Sequence, residues 1–211
     1  MRSKPWAKPE LEACPFFLRH PEEQKDRWHA WFPEEGPIHL ELGCGKGRFT
    51  VETARQHPEI LFVAVEKVAD ALVVAMERAM KEELKNVFFL VGDAAALPEL
   101  FAPGEVDRIY INFCDPWPPK RQAKRRLTHH NFLALYRQVL AEGGQIHFKT
   151  DNDPLFAFSL EEFPQAGFAL SEVTRDLHAD GPQGVMTDYE AKFYEEGVTI
   201  NRCVAEMVPL Q

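Results

Sequence analysis

The segment from residue 38 to residue 56, IHLELGCGKGRFTVETARQ, decides the fold of this chain. Its apolar first residues predict a β-strand, and the residues after the glycines have helical spacing that stops before Pro58. Glycines between a strand and a helix allow positive φ and let the backbone approach a ligand closely. The segment therefore predicts the first β–α unit of an α/β sheet, with a ligand site at the turn.

The rest of the chain continues this alternation of strand and helix patterns. Strand patterns cover residues 60–66, 86–93, 107–113, 145–151, 168–177 and 199–208. Helix patterns cover residues 68–84, 128–144, 153–163 and 187–196. The helix at 128–144 is expected to begin at a capping Thr128 and to end at the paired glycines Gly143 and Gly144. Such alternation predicts a doubly wound α/β sheet whose ligand lies outside the C-terminal strand ends.

The composition is that of a folded domain. The 211 residues suit one domain, and 45% of them are apolar, which is enough for a hydrophobic core. Residues 1–35 are expected to form an irregular N-terminal arm, and residues 36–211 the folded domain. No run has the roughly 20 apolar residues of a membrane span, and the N-terminus lacks the apolar centre of a secretory signal. We therefore expect a cytoplasmic protein without membrane contacts. The sequence leaves the oligomeric state open and only slightly favours a monomer.

The cysteines and histidines argue against disulfides and metal sites. No CxxC pair occurs among the four widely separated cysteines, Cys14, Cys44, Cys114 and Cys203. The adjacent histidines His129 and His130 lack the spacing that presents two ligands on one helix face. The sequence therefore predicts no metal.

Charge is distributed unevenly along the chain. The net charge is −9, yet residues 120–126, KRQAKRR, hold five basic residues and no acid. Without these five of its 24 basic residues, the chain has 19 bases against 33 acids, a net charge of −14. An acidic surface repels nucleic acid, so any nucleic-acid partner is expected to bind at this basic run.

The glycine turn contains the first candidate binding site. Its spacing is GxGxG, with glycines at Gly43, Gly45 and Gly47, whereas a dinucleotide fingerprint has the spacing GxGxxG. Glu41 lies two residues before the first glycine, where its charge favours the sulfonium and ammonium groups of S-adenosylmethionine. The alternative is a plain tight turn with a structural glutamate.

Two more acids end the next two strands. Glu66 ends the second strand, where a carboxylate accepts hydrogen bonds from both ribose hydroxyls of a nucleoside. Asp93 ends the third strand and can accept from an adenine amino group, although it can equally be a helix N-cap. Three acids at three successive strand ends favour a nucleoside cofactor.

Asp115 follows the fourth strand and begins the sequence Asp-Pro-Trp-Pro-Pro. Prolines fix the path of the chain away from the strand, and Trp117 is either a base-stacking platform or a core or lid residue. The basic run follows directly, and phosphate contacts are predicted for Lys120, Arg121, Lys124, Arg125 and Arg126. The alternative is a solvated charge run, which basic charge at a helix N-terminus makes unfavourable.

The chain resembles the bacterial tRNA (guanine-N7-)-methyltransferase family over nearly its whole length. The resemblance rests on the segments IHLELGCGKGRF, NFCDPWPPKRQAKRRLTHHNFL, GGQIHFKTDN and MTDYEAKFYEEGVTINR. It implies a Rossmann-like, doubly wound, seven-stranded methyltransferase sheet, mostly parallel with an antiparallel C-terminal strand. It also implies methyl transfer from S-adenosylmethionine to N7 of a guanine in the tRNA variable loop, at tRNA position 46.

The resemblance assigns roles to individual residues. It implies a cofactor site formed by Glu41, Gly43, Gly45, Glu66, Asp93 and Asp115. It implies substrate contacts from Lys120, Asp151, Thr187, Asp188, Tyr189 and Glu190. The family usually has a lysine directly after Asp-Pro-Trp-Pro, whereas this chain has Pro119 there and a lysine one residue later.

Some of these residues can also have a purely structural role. Thr187 and Glu190 have the spacing of a helix capping box, and Asp151 can serve turn chemistry alone. Because N7 of guanine has a lone pair and no proton to lose, Asp115 is expected to orient the base rather than to remove a proton. The rival functions are methylation of an exocyclic amine of another RNA and RNA binding without catalysis.

Overall fold

The computed structural model describes residues 12–31 and 36–209. Its strands form a sheet in the order β3-β2-β1-β4-β5-β7-β6. Their bounds are Ile38–Leu42 for β1, Leu61–Glu66 for β2, Val87–Val91 for β3, Val106–Asn112 for β4, Leu140–Thr150 for β5, Phe168–Thr174 for β6 and Asn201–Met207 for β7.

Helices connect most of these strands. Their bounds are Arg48–Gln56 for α1, Ala69–Lys81 for α2, Leu97–Leu100 for α3, His130–Val139 for α4, Asp153–Gln165 for α5 and Asp188–Glu195 for α6. Short 3-10 helices cover residues Pro21–Gln24, Trp28–Trp31, Ala94–Ala96 and Lys120–Arg125. Among the helices that the structure describes, none has both the length and the apolar composition that crossing a membrane requires.

The pairing of the strands confirms the predicted fold. Strands β1 to β5 pair in parallel, while β7 is antiparallel to both of its neighbours, β5 and β6. The chain runs from β1 outward to β3 and then returns to β4 on the other side of β1. This reversal is a topological switch point, and ligands of such sheets bind there, beyond the C-terminal strand ends.

The core lies on both faces of the sheet, because the central strands are apolar on both sides. Alternate residues such as Leu40, Val63 and Ile109 pack with α4 and α5 in one cluster. Residues of the other face, such as Phe62 and Ala64, pack with α1 and α2 in a second cluster. The two layers of helices hold the sheet in place and leave its C-terminal edge to the connecting loops.

The helix predicted at residues 128–144 is shorter in the structure. It begins at His130, and its N-cap is His129, whose Nδ1 accepts from the Asn131 N–H at 3.2 Å. The predicted cap, Thr128, is buried and accepts a hydrogen bond from the Ser159 hydroxyl. The helix ends at Val139 because the next residue, Leu140, already pairs with β4.

The described part of the predicted N-terminal arm packs on the domain. Phe17 forms a β-bridge with Phe89 of β3. Trp28 is fully buried, its indole N–H donates to the Leu100 carbonyl at 2.9 Å, and its ring stacks on Phe101. Residues 1–11 and 32–35 lie outside the described residues, so the arm at residues 1–35 stays a prediction.

The glycine that begins α1 has a steric requirement that can be tested. Gly47 has a φ of +73°, and a Cβ atom there would lie 2.4 Å from Cβ of Ala75 in α2. We expect Gly47→Ala to lower the free energy of unfolding by about 3 kcal/mol, from backbone strain and overpacking together. Urea denaturation measures this loss.

Gly104 supplies the matched control. Its φ is +77°, but a Cβ atom there would meet nothing within 4 Å. Gly104→Ala should therefore lower the free energy of unfolding by about 1 kcal/mol, from backbone strain alone. Equal losses for the two variants would show that the packing of α1 against α2 does not require a glycine at residue 47.

Candidate active site at the C-terminal edge of the sheet

The acids predicted from the sequence meet at one edge of the sheet. Glu41 lies in β1, Glu66 ends β2, and Asp93, Asp115 and Asp151 follow β3, β4 and β5. Because these strands are parallel, their C-terminal ends lie at the same edge. The structure thus brings together residues that are separated by up to 110 positions in the chain.

The glycine turn adopts the backbone that its sequence predicts. Gly43, Gly45 and Gly47 all have positive φ, of 78°, 54° and 73°. The Gly43 N–H donates to the Val65 carbonyl at 2.8 Å, which holds the turn against β2. A Cβ atom on Gly43 or Gly45 would meet nothing within 4 Å, so the space beside the turn is open. A ligand can therefore approach this backbone closely.

Glu41 lies beneath the turn and is only 2% exposed. Its carboxylate accepts hydrogen bonds from the Thr50 hydroxyl of α1 and from Nδ2 of Asn112 at the end of β4, the latter at 3.0 Å. Burial raises the pKa of Glu41, and these two donors oppose that effect. The carboxylate therefore ties together β1, α1 and β4 around the turn.

Asn112 is a site residue that the sequence reasoning missed. Its Nδ2 holds Glu41, while its buried Oδ1 has no hydrogen-bond partner among the described residues. Buried acceptors are rarely left unpaired, so this oxygen fits a donor group of a bound ligand or a water molecule. A cavity of about 280 Å³ adjoins Asn112, with Phe49 and Lys149 also in its wall. The signal available in the sequence was an amide at the end of an apolar strand.

Glu66 is oriented by two backbone N–H groups. Its Oε2 accepts from Gly45 at 2.9 Å, and its Oε1 accepts from Val68 at 2.8 Å. Each carboxylate oxygen has a second lone pair, so the group can still accept from two hydroxyls of a ligand. This geometry fits the predicted ribose contact, which stays a prediction.

Asp93 has the helix-capping role that the sequence left open. Its Oδ1 accepts from the Ala95 N–H at 3.0 Å, and its Oδ2 pairs with Lys67 at 2.8 Å. Burial alone would raise the pKa of Asp93, but Lys67 and the Ala95 N–H together lower it. The carboxylate is therefore charged and half-exposed beside the turn, and its predicted adenine contact stays a prediction.

Asp115 has a free carboxylate at the centre of this edge. The side chain is exposed and has no hydrogen-bond or ion-pair partner among the described residues. The loop around it is strained, because Phe113 and Trp117 both have positive φ, of 53° and 43°. Such a conformation costs about 1–2 kcal/mol for each non-glycine residue. Strain of this kind occurs where surrounding contacts over-determine the backbone, often at functional sites.

The basic run forms a 3-10 helix of its own, Lys120–Arg125, with Pro119 as its N-cap. Its last turn contains Lys124 and Arg125, where positive charge is favourable. Its first turn contains Lys120 and Arg121, where positive charge is unfavourable. Burial lowers the pKa of His129, the N-cap of α4, and Lys124 and Arg126 also help to lower it, so these charges act at the start of that helix as the sequence argument expected.

The five basic side chains differ in their surroundings. Lys120, Arg121 and Lys124 are exposed and have no side-chain hydrogen bond or ion pair within residues 12–31 and 36–209. The guanidinium of Arg125 lies 3.4 Å from the centre of the Trp117 ring. The guanidinium of Arg126 donates to backbone carbonyls, and this side chain is only half-exposed.

The predicted substrate segment contains the capping box. The Thr187 side chain accepts from the Glu190 N–H, and the Glu190 side chain accepts from the Thr187 N–H. The Glu190 carboxylate is fully buried, where it pairs with Lys149 at 2.6 Å and with His178 at 3.1 Å. Lys149 was missed in the sequence, although a lysine in a buried strand was a signal for a buried ion pair.

The other predicted substrate residues are accessible. Asp188 forms an exposed ion pair with Arg78 of α2, and Tyr189 is 67% exposed on α6. Asp151 is exposed directly after β5. Substrate contacts by these residues, by Thr187 and by Glu190 stay predictions, and in the structure both carboxylate oxygens of Glu190 have protein partners.

A group of side chains near α4 has the spacing of metal ligands. Atoms of His129, His130 and Glu162 lie within 4.8 Å of one another. Glu162 already accepts from the His130 backbone N–H at 2.6 Å and contacts its Nδ1 at 2.8 Å. These contacts satisfy the first turn of α4, so the geometry is explained by helix capping. The prediction of no metal stays a prediction.

Comparisons with known proteins show the family to which the chain belongs. A family described as "Putative methyltransferase" matches residues 35–203. A tRNA (guanine-N(7)-)-methyltransferase of Geobacillus thermodenitrificans is 46% identical, over 100% of this chain and 99% of its own length. The enzyme of that name from Clostridium perfringens is 44% identical, over 98% of both chains.

The chain belongs to the tRNA (guanine-N(7)-)-methyltransferase family. This confirms the resemblance inferred from the sequence. Solved structures with the same fold have lower sequence identity to this chain. An antibiotic-related methyltransferase has a TM-score of 0.64 at 18% identity and covers 86% of this chain and 92% of its own. The 16S rRNA methyltransferase KamB has a TM-score of 0.63 at 15% identity, over 99% and 96%.

The buried ion pair behind the predicted substrate segment of this methyltransferase gives a stability prediction. Burial lowers the pKa of Lys149, and the Glu190 carboxylate opposes that effect. Glu190→Gln leaves the buried ammonium without its charged partner. We expect it to lower the free energy of unfolding by about 3–5 kcal/mol, measured in urea.

Asp188→Asn is the control. Asp188 lies in the same helix as Glu190, and the substitution removes its exposed ion pair with Arg78 of α2. Exposed pairs contribute at most about 1 kcal/mol. A loss from Glu190→Gln no larger than that of the control would contradict a structural role for the buried pair.

Proposed function

We propose that this protein transfers a methyl group from S-adenosylmethionine to N7 of a guanine in the variable loop of tRNA. The observation that carries the proposal is the unpaired carboxylate of Asp115. It follows the central strand β4 and lies in sequence between the acid-lined glycine turn and the exposed basic 3-10 helix. The proposal agrees with the name of the family to which the chain belongs.

The residues at the turn fit S-adenosylmethionine. Glu66, oriented by Gly45 and Val68, holds the ribose hydroxyls, and Asp93 accepts from the adenine amino group. Glu41 supplies negative charge beneath the turn, near the positive groups of the cofactor. The open space at Gly43 and Gly45 admits the cofactor to the backbone. When bound, the cofactor supplies an electrophilic methyl group on a sulfonium sulfur.

The chemistry at the guanine needs positioning more than proton transfer. N7 has a lone pair and loses no proton, so no general base is required at the reacting atom. Asp115 orients the base by accepting hydrogen bonds from N1–H and the exocyclic amine. Its charge also stabilises the positive charge that develops on the ring. Asp151, exposed after the neighbouring strand β5, shares this task.

The basic 3-10 helix binds the tRNA backbone. Lys120, Arg121, Lys124 and Arg125 are exposed, and their charges are available to phosphates. Lys120 replaces the lysine that the family usually has one residue earlier, since Pro119 stands at that position. Together with Asp188 and Tyr189 on α6, these residues form the tRNA surface. Because tRNA is the substrate, the reaction belongs in the cytoplasm.

The role of Asp115 is tested by methyl transfer to bulk unmodified tRNA, with the modified nucleoside identified. The wild type should form 7-methylguanosine. Asp115→Asn should lower the rate by about 10²- to 10³-fold, as loss of one preorganised electrostatic contact does. The expected cause is loss of the charge that orients the guanine.

Glu142→Gln is the matched control, since it removes an exposed carboxylate at the opposite end of β5. Its rate should equal that of the wild type. An unchanged rate in Asp115→Asn would remove the role proposed for Asp115. Methylation at an exocyclic amine would replace the proposed reaction, and cofactor binding without any methylation would favour an RNA-binding module.

The cofactor site is tested by calorimetric titration with S-adenosylmethionine. Glu66→Ala should weaken binding by about 10- to 100-fold, because it removes hydrogen bonds to a charged group. Glu59→Ala is the control, because it removes an exposed glutamate that precedes β2 at the other edge of the sheet. This variant should bind S-adenosylmethionine as tightly as the wild type does. Equal affinities for all three proteins would mean that the ribose does not contact Glu66.

A further inference from the structure

The two residues that follow Asp115 are bonded to Arg126. Nε of Arg126 donates to the Pro116 carbonyl at 3.0 Å, and its Nη2 donates to the Trp117 carbonyl at 3.1 Å. On the other side of Asp115, burial raises the pKa of the Cys114 thiol, the Leu127 backbone slightly opposes that effect, and the side chains of both residues pack against the core. We propose that Arg126 is a positioning residue that holds the loop of Asp115, and that it is not a phosphate contact.

The guanidinium of Arg126 is committed to the protein. Its Cζ lies 4.4 Å from the centre of the Phe158 ring of α5, so one face of the group is covered. Two of its nitrogens donate to the loop, and the side chain is only half-exposed. By contrast, Lys124 and Arg121 are exposed and donate to no side chain or carbonyl within the described parts of the chain. The five charges of the basic run thus divide between two tasks.

The loop needs such an anchor because its backbone is strained. Phe113 and Trp117, two residues before and after Asp115, both have positive φ. The strain at Phe113 is supported by its N–H, which donates to the Lys149 carbonyl at 2.9 Å, and by its ring, which packs near Phe193. At Trp117 the corresponding support is the bond from Arg126 to its carbonyl. The Arg125 guanidinium covers the Trp117 ring, whereas the two bonds from Arg126 hold the backbone of the second half of the loop.

Arginine is suited to this task, and lysine is not. The planar guanidinium presents several N–H donors in a fixed fork, which here reaches two successive carbonyls. A lysine has the same charge but a single nitrogen on a flexible stem. The substitution Arg126→Lys therefore keeps the electrostatic attraction for tRNA and removes the fork.

This inference rests on the proposed function, and the test separates the two. For Arg126→Lys we expect a fall in kcat of about 10- to 100-fold, because a displaced orienting group lowers the rate strongly. The KM for tRNA should stay as in the wild type. The slope of log KM against the logarithm of the salt concentration should also stay unchanged. Lys124→Gln should lower that slope by about one, as loss of a phosphate contact does.

A second readout does not depend on methylation. Cys114 is partly buried against the core, desolvation raises the pKa of its thiol to about 12, and it lies next to Asp115. Loosening of the loop should make Cys114 react faster with iodoacetamide, which peptide mass spectrometry measures at this residue alone. We expect at least a ten-fold faster reaction in Arg126→Lys.

Arg27→Lys is the matched control. Arg27 is exposed, and its neighbours Asp26 and Trp28 bond Glu105, which precedes β4 at the opposite edge of the sheet. Both readouts should equal the wild type in this variant.

Two results would decide against the positioning role. Unchanged kcat and unchanged Cys114 reactivity in Arg126→Lys would overturn it. A salt slope lowered by about one in Arg126→Gln, with Cys114 still protected, would make Arg126 a phosphate contact instead. If the wild type forms no 7-methylguanosine but Arg126→Lys exposes Cys114, the positioning of the loop stands and the proposed reaction fails.

Discussion

The hydrogen bonds of the buried Glu41 carboxylate are the interaction on which the site depends. They join β1 to α1 through Thr50 and to β4 through Asn112, directly beneath the glycine turn. A carboxylate removed from water is tolerated only with such partners, so the three elements are held in one arrangement. The two strands that it joins, β1 and β4, are those between which the order of the sheet reverses. The turn and the loop of Asp115 are therefore fixed relative to each other by one buried group.

A second buried charge pair continues this network to the predicted substrate segment. Lys149 of β5 pairs with Glu190 of α6, and its charge also favours the ionised form of Glu41. The side chains of Glu41, Asn112 and Lys149 thus form a polar row across the adjacent strands β1, β4 and β5. The cofactor edge and α6 are consequently linked by electrostatics as well as by the chain. A change at either end of the row alters the burial cost at the other.

Local patterns in the sequence were sufficient for the fold and for the positions of the acids. Apolar runs marked the strands, and the glycines allowed the positive φ that the turn adopts. The end of α4 at Val139 was not predictable in this way, because Leu140 joins β5 through its pairing with Val106, more than 30 residues away. Asn112 and Lys149 were missed for a similar reason. Their partners, Glu41 and Glu190, lie 71 and 41 residues away in the chain.

The basic run shows how one composition serves two structural purposes. Charge alone suggested that all five residues face a polyanion, and an argument from the helix macrodipole supported that interpretation. In the structure the run forms a separate 3-10 helix, with Lys120 and Arg121 in its unfavourable first turn and Lys124 and Arg125 in its favourable last turn. The five basic residues differ in whether carbonyl or carboxylate acceptors of the protein lie within reach of their side chains. The exposed lysines have no partner within the described chain, whereas Arg126 has two carbonyls within reach of its planar fork. A strained loop with free carbonyls selects arginine, and a mobile phosphate backbone accepts either residue, so geometry rather than charge assigns the roles.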